Sequence, residues 1–296
     1  CCAACMCGPN YIDGEGVLNG MSAIFKNIRG SRNMTGKVVP FLFLCGAAMC
    51  VVANKAGLAD DDGIPDLAHP LVAESPTPDT ELRFEYILIE TDAADELEIN
   101  PEGEFAIMPG VSIEVDIPYK FRDPSDGSGS QDNLDVAEIA LKLARGMSAT
   151  SLLGGGLEVE LPTGDDGKDI GSNNELIVKP FLDGGFIYGS FEYIGFFGLE
   201  FPFNQDSLTE SEKDLGLEYN LAMAYWFQSR LRGIFELDGE LVVIGDDNES
   251  VINASWGAIG SPIKGVPLEV GIGMSVPITR DRDFDQKAII SLLYQF

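Results

Sequence analysis

The sequence predicts an all-β chain, a transmembrane, up-and-down antiparallel β-barrel of about twelve strands. Three observations predict it. In the last ten residues, Lys287–Phe296, stepping back by twos from Phe296 gives Tyr294, Leu292, Ile290 and Ala288, an unbroken apolar face. Gln295, Ser291 and Lys287 lie opposite, with Leu293 and Ile289 between them. Such alternation lets one face meet lipid and the other a lumen, with the terminal ring at headgroup level. The same period recurs from Leu82 onward between turn residues. Finally, no run of about twenty apolar residues follows position 60, and no helical period competes over a long window. Barrel strands alternate, so they escape a hydropathy scan.

The amino-terminal third is organised differently. Residues 1–33 read as an upstream extension ahead of Met34. Met34-Thr-Gly-Lys37 supplies a start and a positive charge, Val38–Ala53 is apolar, and Asn54–Ala59 offers small residues before Asp60. That is the layout of a signal peptide over 34–59. A membrane anchor is the competing reading, and the apolar core is short for it. All six cysteines (Cys1, Cys2, Cys5, Cys7, Cys45 and Cys50) precede that cleavage site. They lack paired ligands downstream, so no metal site and no cofactor are expected. Residues 60–80 form an acidic leader with Pro65, Pro70, Pro76 and Pro78, a composition with little tendency to pack. The single histidine, His69, falls here and is expected to face solvent.

From 81 to 296 the strands follow in order. Leu82, Phe84, Tyr86 and Leu88 share a face, and Leu97, Ile99 and Phe105 oppose Glu96, Glu98, Glu102 and Glu104. After the turn Met108-Pro-Gly110, Val111 to Phe121 alternates over eleven residues, more than an edge strand of a soluble sandwich readily gives. Asn133–Ala144 has one phase break near Ala137, which a bulge would absorb. Leu153–Leu161 and Leu176–Leu182 follow, and Asp183-Gly-Gly185 reads as a turn into the aromatic strand Tyr188–Phe201. Leu215–Phe227, Leu231–Val243, Ile252–Ala258 and Leu268–Ile278 lead to the closing strand. Loops at Asp123–Gln131, Thr163–Asn174 and Pro202–Asp214 are long and polar, whereas several alternate connections are short. Gly260–Pro267 is longer than that asymmetry predicts. An even strand count returns both ends of the barrel to the short-turn side.

Inward positions on this phase are mostly acidic: Glu85, Glu98, Glu114, Asp116, Glu158, Glu160, Glu192, Glu218, Glu236, Asp238, Glu240 and Glu269. The inward bases are Arg83, Lys120, Lys142, Lys179 and Arg232. Glu85, Glu114, Asp116, Glu158, Glu160, Glu218, Glu236, Asp238, Glu240, Arg232 and Lys120 are therefore the candidate pore-lining residues. An open acidic lumen would favour cations. The equal alternative is salt-bridged ladders filling a closed barrel.

Chemistry is narrowed by what is missing. A serine hydrolase needs a histidine to take the serine proton, and His69 precedes the first strand. Acids such as Asp165, Asp166, Asp246 and Asp247 are too numerous for any pair to mark a catalytic dyad, so no enzyme is expected. With 48 acidic against 19 basic residues, nucleic acid is an unfavourable partner. The acidic loops match no calcium motif.

The terminal alternation ending in Tyr294 and Phe296 resembles the C-terminal signal of bacterial outer-membrane barrels, which implies recognition by the barrel-assembly machinery. Ile113-Glu-Val-Asp-Ile-Pro-Tyr119, Asn133–Leu143 and Gly156–Asp165, with its Leu161-Pro-Thr-Gly-Asp165 corner, resemble the barrel family named for the meta-pathway of phenol degradation. That resemblance covers roughly residues 81–296. It implies the outer membrane, contact with lipid and lipopolysaccharide, and passive transport of a small solute, conceivably aromatic, entering between loops bearing Phe197, Phe201 and Phe203. It supplies no catalytic residue. The alternative is a non-conducting barrel that anchors or binds through its acidic outer loops.

Overall fold

A computed structural model describes residues 64–203, 215–244 and 250–296. The expected extension and signal peptide, and most of the loops at 202–214 and 245–250, lie outside them. The strands are β1 (Glu81–Glu90), β2 (Ala94–Met108), β3 (Val111–Asp116), β4 (Tyr119–Pro124), β5 (Gln131–Leu134), β6 (Ala137–Ser148) and β7 (Ser151–Leu161). They continue as β8 (Leu176–Tyr188), β9 (Phe191–Phe203), β10 (Leu215–Gln228), β11 (Leu231–Ile244), β12 (Ser250–Gly260), β13 (Leu268–Pro277) and β14 (Gln286–Gln295). All pair antiparallel. β1 joins both β2 and β14, so the sheet closes and leaves no edge in the lipid.

The closed ring has twelve members, because β3 with β4 and β5 with β6 are two long strands, each interrupted once. The eleven-residue strand expected at Val111–Phe121 breaks at Ile117-Pro118. Pro118 has no N–H to give a ladder, and its carbonyl instead accepts from Asp135 N–H. Beyond the break β4 stays on β2 and pairs with β5, forming a ribbon that extends the wall.

The two-residue turns at 109–110, 149–150, 189–190 and 229–230, and the Gly260–Leu268 connection, lie at the end that also holds Glu81 and Gln295, whereas the three-residue turn at 91–93 and the long loops lie at the other. Short turns are periplasmic in outer-membrane barrels, so this end is termed inner and the opposite rim outer. Outward side chains form the apolar band, and rings gather at its inner edge. Phe186 stacks on Tyr193 at 4.9 Å, Phe191 meets Tyr225 at 4.8 Å, and Tyr225 meets Phe227 edge-on at 5.1 Å. Aromatic girdles of this kind mark a membrane interface.

Two expectations are corrected. Asp183-Gly-Gly185 is no turn; it lies within β8, and the chain reverses at Gly189 (φ 64°) and Ser190. The glycines serve close approach instead of reversal. A β-carbon on Gly185 would stand 2.6 Å from Leu67 Cδ1. And the part of the leader that is described, 64–80, is not a solvated tail. It folds into the inner half of the barrel, where Leu67, Ala68, Leu71 and Ala73 are buried.

That half of the lumen is apolar. Leu152, Ile194, Ala222, Ala224, Ile234 and Ile259 point inward from the wall and form one cluster with Leu67, Ala68 and Leu71. A lumen polar along its whole length, as the acidic inward phase suggested, is thus true of the outer half only.

Candidate functional site: an acidic vestibule above an internal plug

Residues 64–80 carry no regular secondary structure, so their backbone donors need other partners. Four of the seventeen are prolines and have no donor. Wall carboxylates take five of the others. Glu236 accepts from Leu71 N–H (2.8 Å), Val72 N–H (3.1 Å) and Ala73 N–H (2.9 Å). Glu192 accepts from Ala68 N–H at 2.7 Å and from the Trp226 indole at 2.5 Å, and Glu104 accepts from Asp79 N–H at 3.0 Å. Internally, Leu67 N–H donates to Thr77 Oγ1, whose hydroxyl donates to the Pro65 carbonyl. The carboxylates act as caps for a chain with no ladder.

His69 lies at the inner mouth and is buried. Its Nδ1 is 3.3 Å from Glu81 and its Nε2 3.8 Å from Asp79, with the Gln295 amide 3.1 Å from Nε2. Burial by itself depresses the imidazole, but the Glu81 carboxylate outweighs it and holds His69 at about 9. The exposed histidine expected from the sequence is a buried cation.

Above the plug is a cavity of about 400 Å³ floored by Val72, Ala73 and Glu74. It reaches the outer rim at Asp283, which is exposed. Eleven carboxylates and two bases, Arg83 and Lys179, line it. Lys179 Nζ stands 2.7 Å from Glu218, 2.9 Å from Glu158, 3.0 Å from Glu160 and 3.4 Å from Glu200. An ammonium has three donors, so four acids share too few. Lys142, just below, is held by Glu114 (2.9 Å), Glu104 (3.1 Å) and the plug's Glu74 (3.6 Å). Arg83 lies 3.5 Å from Glu102 and 3.8 Å from Glu85.

Of the candidate pore-lining residues, the structure brings Glu85, Asp116, Glu158, Glu218, Asp238 and Glu240 together around this cavity. Glu114 and Glu160 pair with lysines at its edge. Three candidates do other work. Glu236 binds the plug backbone. Arg232 pairs with Glu269 at 2.5 Å and donates to the His69 carbonyl. Lys120 sits near the outer rim with Asp135 at 2.5 Å and Glu98 at 3.6 Å. Phe197, Phe201 and Phe203 are on β9, on the outward phase of the strand, and not on loops. Sequence reasoning missed Glu74, Glu138, Glu200, Asn220, Asn253 and Asp283. Parity within β9, β10 and β12 would have found Glu200, Asn220 and Asn253, but no sequence pattern marks Glu74.

No family model and no curated protein matches the sequence. Solved structures do match. An outer-membrane channel from Pseudomonas putida F1 aligns with a TM-score of 0.61 at 13% identity, covering 78% of this chain and 100% of that one. The fold is that of a bacterial outer-membrane β-barrel. The NanC porin aligns with a TM-score of 0.50 at 7% identity, covering 73% of this chain and 98% of that one. With the apolar outer band and aromatic girdle, this fold places the protein in the outer membrane.

Proposed function

We propose that the protein is an outer-membrane channel for passive diffusion of small polar solutes, acidic in its outer half and closed at rest by residues 64–80. The observation that carries this reading is the division of the bore. A polar cavity reaches the outer rim, and what blocks it inside is a strandless segment held by side chains. A twelve-stranded wall is wide enough to leave a path once that segment moves. A blockage that belonged to the sheet would have to break the barrel to open; this one does not.

The family named for the meta-pathway of phenol degradation, suggested by Ile113–Tyr119 and Leu161–Asp165, supports the same class of role. An aromatic solute rests on that resemblance. Among the described residues, the vestibule wall carries a single aromatic ring, Phe196, so its chemistry favours a polar or charged solute.

Planar-bilayer conductance tests the reading. The full chain should give small, infrequent, cation-selective steps, and deletion of 64–80 should give larger, steadier ones. Selectivity should fall in Asp238→Asn and Glu240→Gln. The buried plug also favours a second reading, a non-conducting barrel that anchors through its outer loops. A folded barrel without conductance or liposome flux, with or without the plug, would establish that second reading.

A further inference from the structure

Resting on the channel reading, we infer that the vestibule is a binding site for a linear oligoamine, a flexible organic cation with several spaced N–H donors. The wall has an excess of acceptors that its own residues do not meet. Asp116 on β3 is nine-tenths buried and faces the cavity, yet among the described residues no lysine or arginine pairs with it and its Oδ1 accepts no hydrogen bond. Asn220 on β10 and Asn253 on β12 are each 5–6% exposed and line the same space, and each leaves its side-chain oxygen without a donor. A buried acceptor without a donor is destabilising, and more so when charged. Three around one cavity mark a missing donor-bearing ligand.

The placement of these groups decides what kind of cation fits. A metal ion needs oxygens converging at about 2–2.6 Å on one point. Among the described residues, the tight acidic group at the cavity wall is Glu138 and Glu158 with Glu160 beside them, their oxygens within 4.8 Å of one another. Lys179 Nζ already stands against two of these, Glu158 and Glu160. The unmet oxygens are instead dispersed over β3, β10 and β12, on separate parts of the ring. One ion cannot reach them all, whereas a chain with an ammonium every few carbons can. Lys142 and Lys179 show the recognition chemistry in place, each an alkylammonium on a short stem held by three or four carboxylates. A volume of about 400 Å³ admits a molecule of this size but no folded peptide.

Spermidine is a suitable probe, titrated calorimetrically into the full chain folded in neutral detergent at fixed ionic strength. Saturable binding near one equivalent is expected. Asp116→Asn should weaken it about tenfold or more, since a charge-assisted bond contributes about 1.5–3 kcal/mol. Asp92→Asn removes the same charge from the rim beside Arg282 and should change affinity less than twofold. Glu138→Gln provides a second wall variant should Asp116→Asn not give the heat-shifted gel mobility of a folded barrel. Absence of binding, equal losses in the rim and wall variants, or stoichiometric displacement by magnesium at matched ionic strength would each overturn the inference. Because the titration needs no ion flow, binding without conductance would sink the channel reading alone. Conductance without binding would sink this inference alone.

Discussion

Leu71 of the plug fits a notch that Gly271 leaves in the wall. A β-carbon there would stand 2.7 Å from Leu71 Cδ2 and 3.4 Å from Ile259 and Ser291. Leu71 cannot retreat easily, since Gly257 and Gly273 hold its other methyl equally closely. Gly271→Val should therefore expel the plug while the barrel stays closed. A cysteine introduced at Ala73 should become reactive toward a membrane-impermeant maleimide, with heat-modifiable gel mobility unchanged. An unreactive cysteine in the valine variant would show that the plug tolerates the loss of its notch.

The Glu236 carboxylate holds three consecutive plug amides, so it should dominate the local opening equilibrium. In Glu236→Ala those amides lose a charged acceptor, at about 1.5–3 kcal/mol for hydrogen bonds of this type. Hydrogen exchange at Leu71, Val72 and Ala73 should rise about 10–100-fold. Wall amides of β11 should be unaffected. Equal exchange in both proteins would make Glu236 incidental.

Raising the pH should loosen the plug. His69 is held at about 9 by Glu81, above its ordinary 6.5, so it binds its proton more tightly in the docked state. The stabilisation is complete below about pH 6.5, declines above it, and is gone once pH passes about 9. Asp79 and Arg83 also face the ring, and neither reverses that sign. Maleimide reactivity at the Ala73 cysteine should climb between pH 7 and 9, and His69→Gln should flatten the climb. A flat profile in the unmodified histidine background would exclude His69 as the latch.

Epitope tags test the orientation. Insertions in 123–131 or 163–174 should be accessible on intact cells, and one at Gly189–Ser190 should not. The structure moves this second site from Asp183–Gly185, which would have placed a tag within β8. Exposure of Gly189–Ser190 on intact cells would invert the topology.

The barrel was legible because alternation is a local property, and Glu114, Asp116 and Ser112 share a face whatever surrounds them. The break at Pro118 was also written in the chain, as a proline that can give no ladder bond. The plug was not legible. Pro65, Pro70, Pro76 and Pro78 lower the number of amides to satisfy, which suits disorder and suits burial among carboxylates equally well. Only the wall distinguishes the two, through Glu192 and Glu236 as acceptors and Gly185, Gly257, Gly271 and Gly273 as clearance. Those residues are spread over 89 positions of sequence, from 185 to 273. Gly184 and Gly185 misled for the same reason, since glycine beside aspartate signals a turn locally and a close approach only in three dimensions.

The end of β14 should control assembly. Gln295 pairs with Glu81 where β14 meets β1, and Phe296 N–H donates to the Thr80 carbonyl at 3.0 Å, so Phe296 ties the seam to the end of the plug. Its ring meets Tyr294 edge-on at 5.0 Å on the outward face. Deleting Phe296 removes one seam bond and one ring from the girdle, too little to unfold a closed twelve-stranded sheet. We propose that the same ring pair is what the assembly machinery reads. Phe296 deletion should thus lower the yield of heat-modifiable barrel in the outer-membrane fraction several-fold with export unchanged. Protein that does assemble should melt within a few degrees of the parent. A normal yield would leave Tyr294 and Phe296 with a purely structural place in the girdle, and a large loss of melting temperature would trace the defect to the seam.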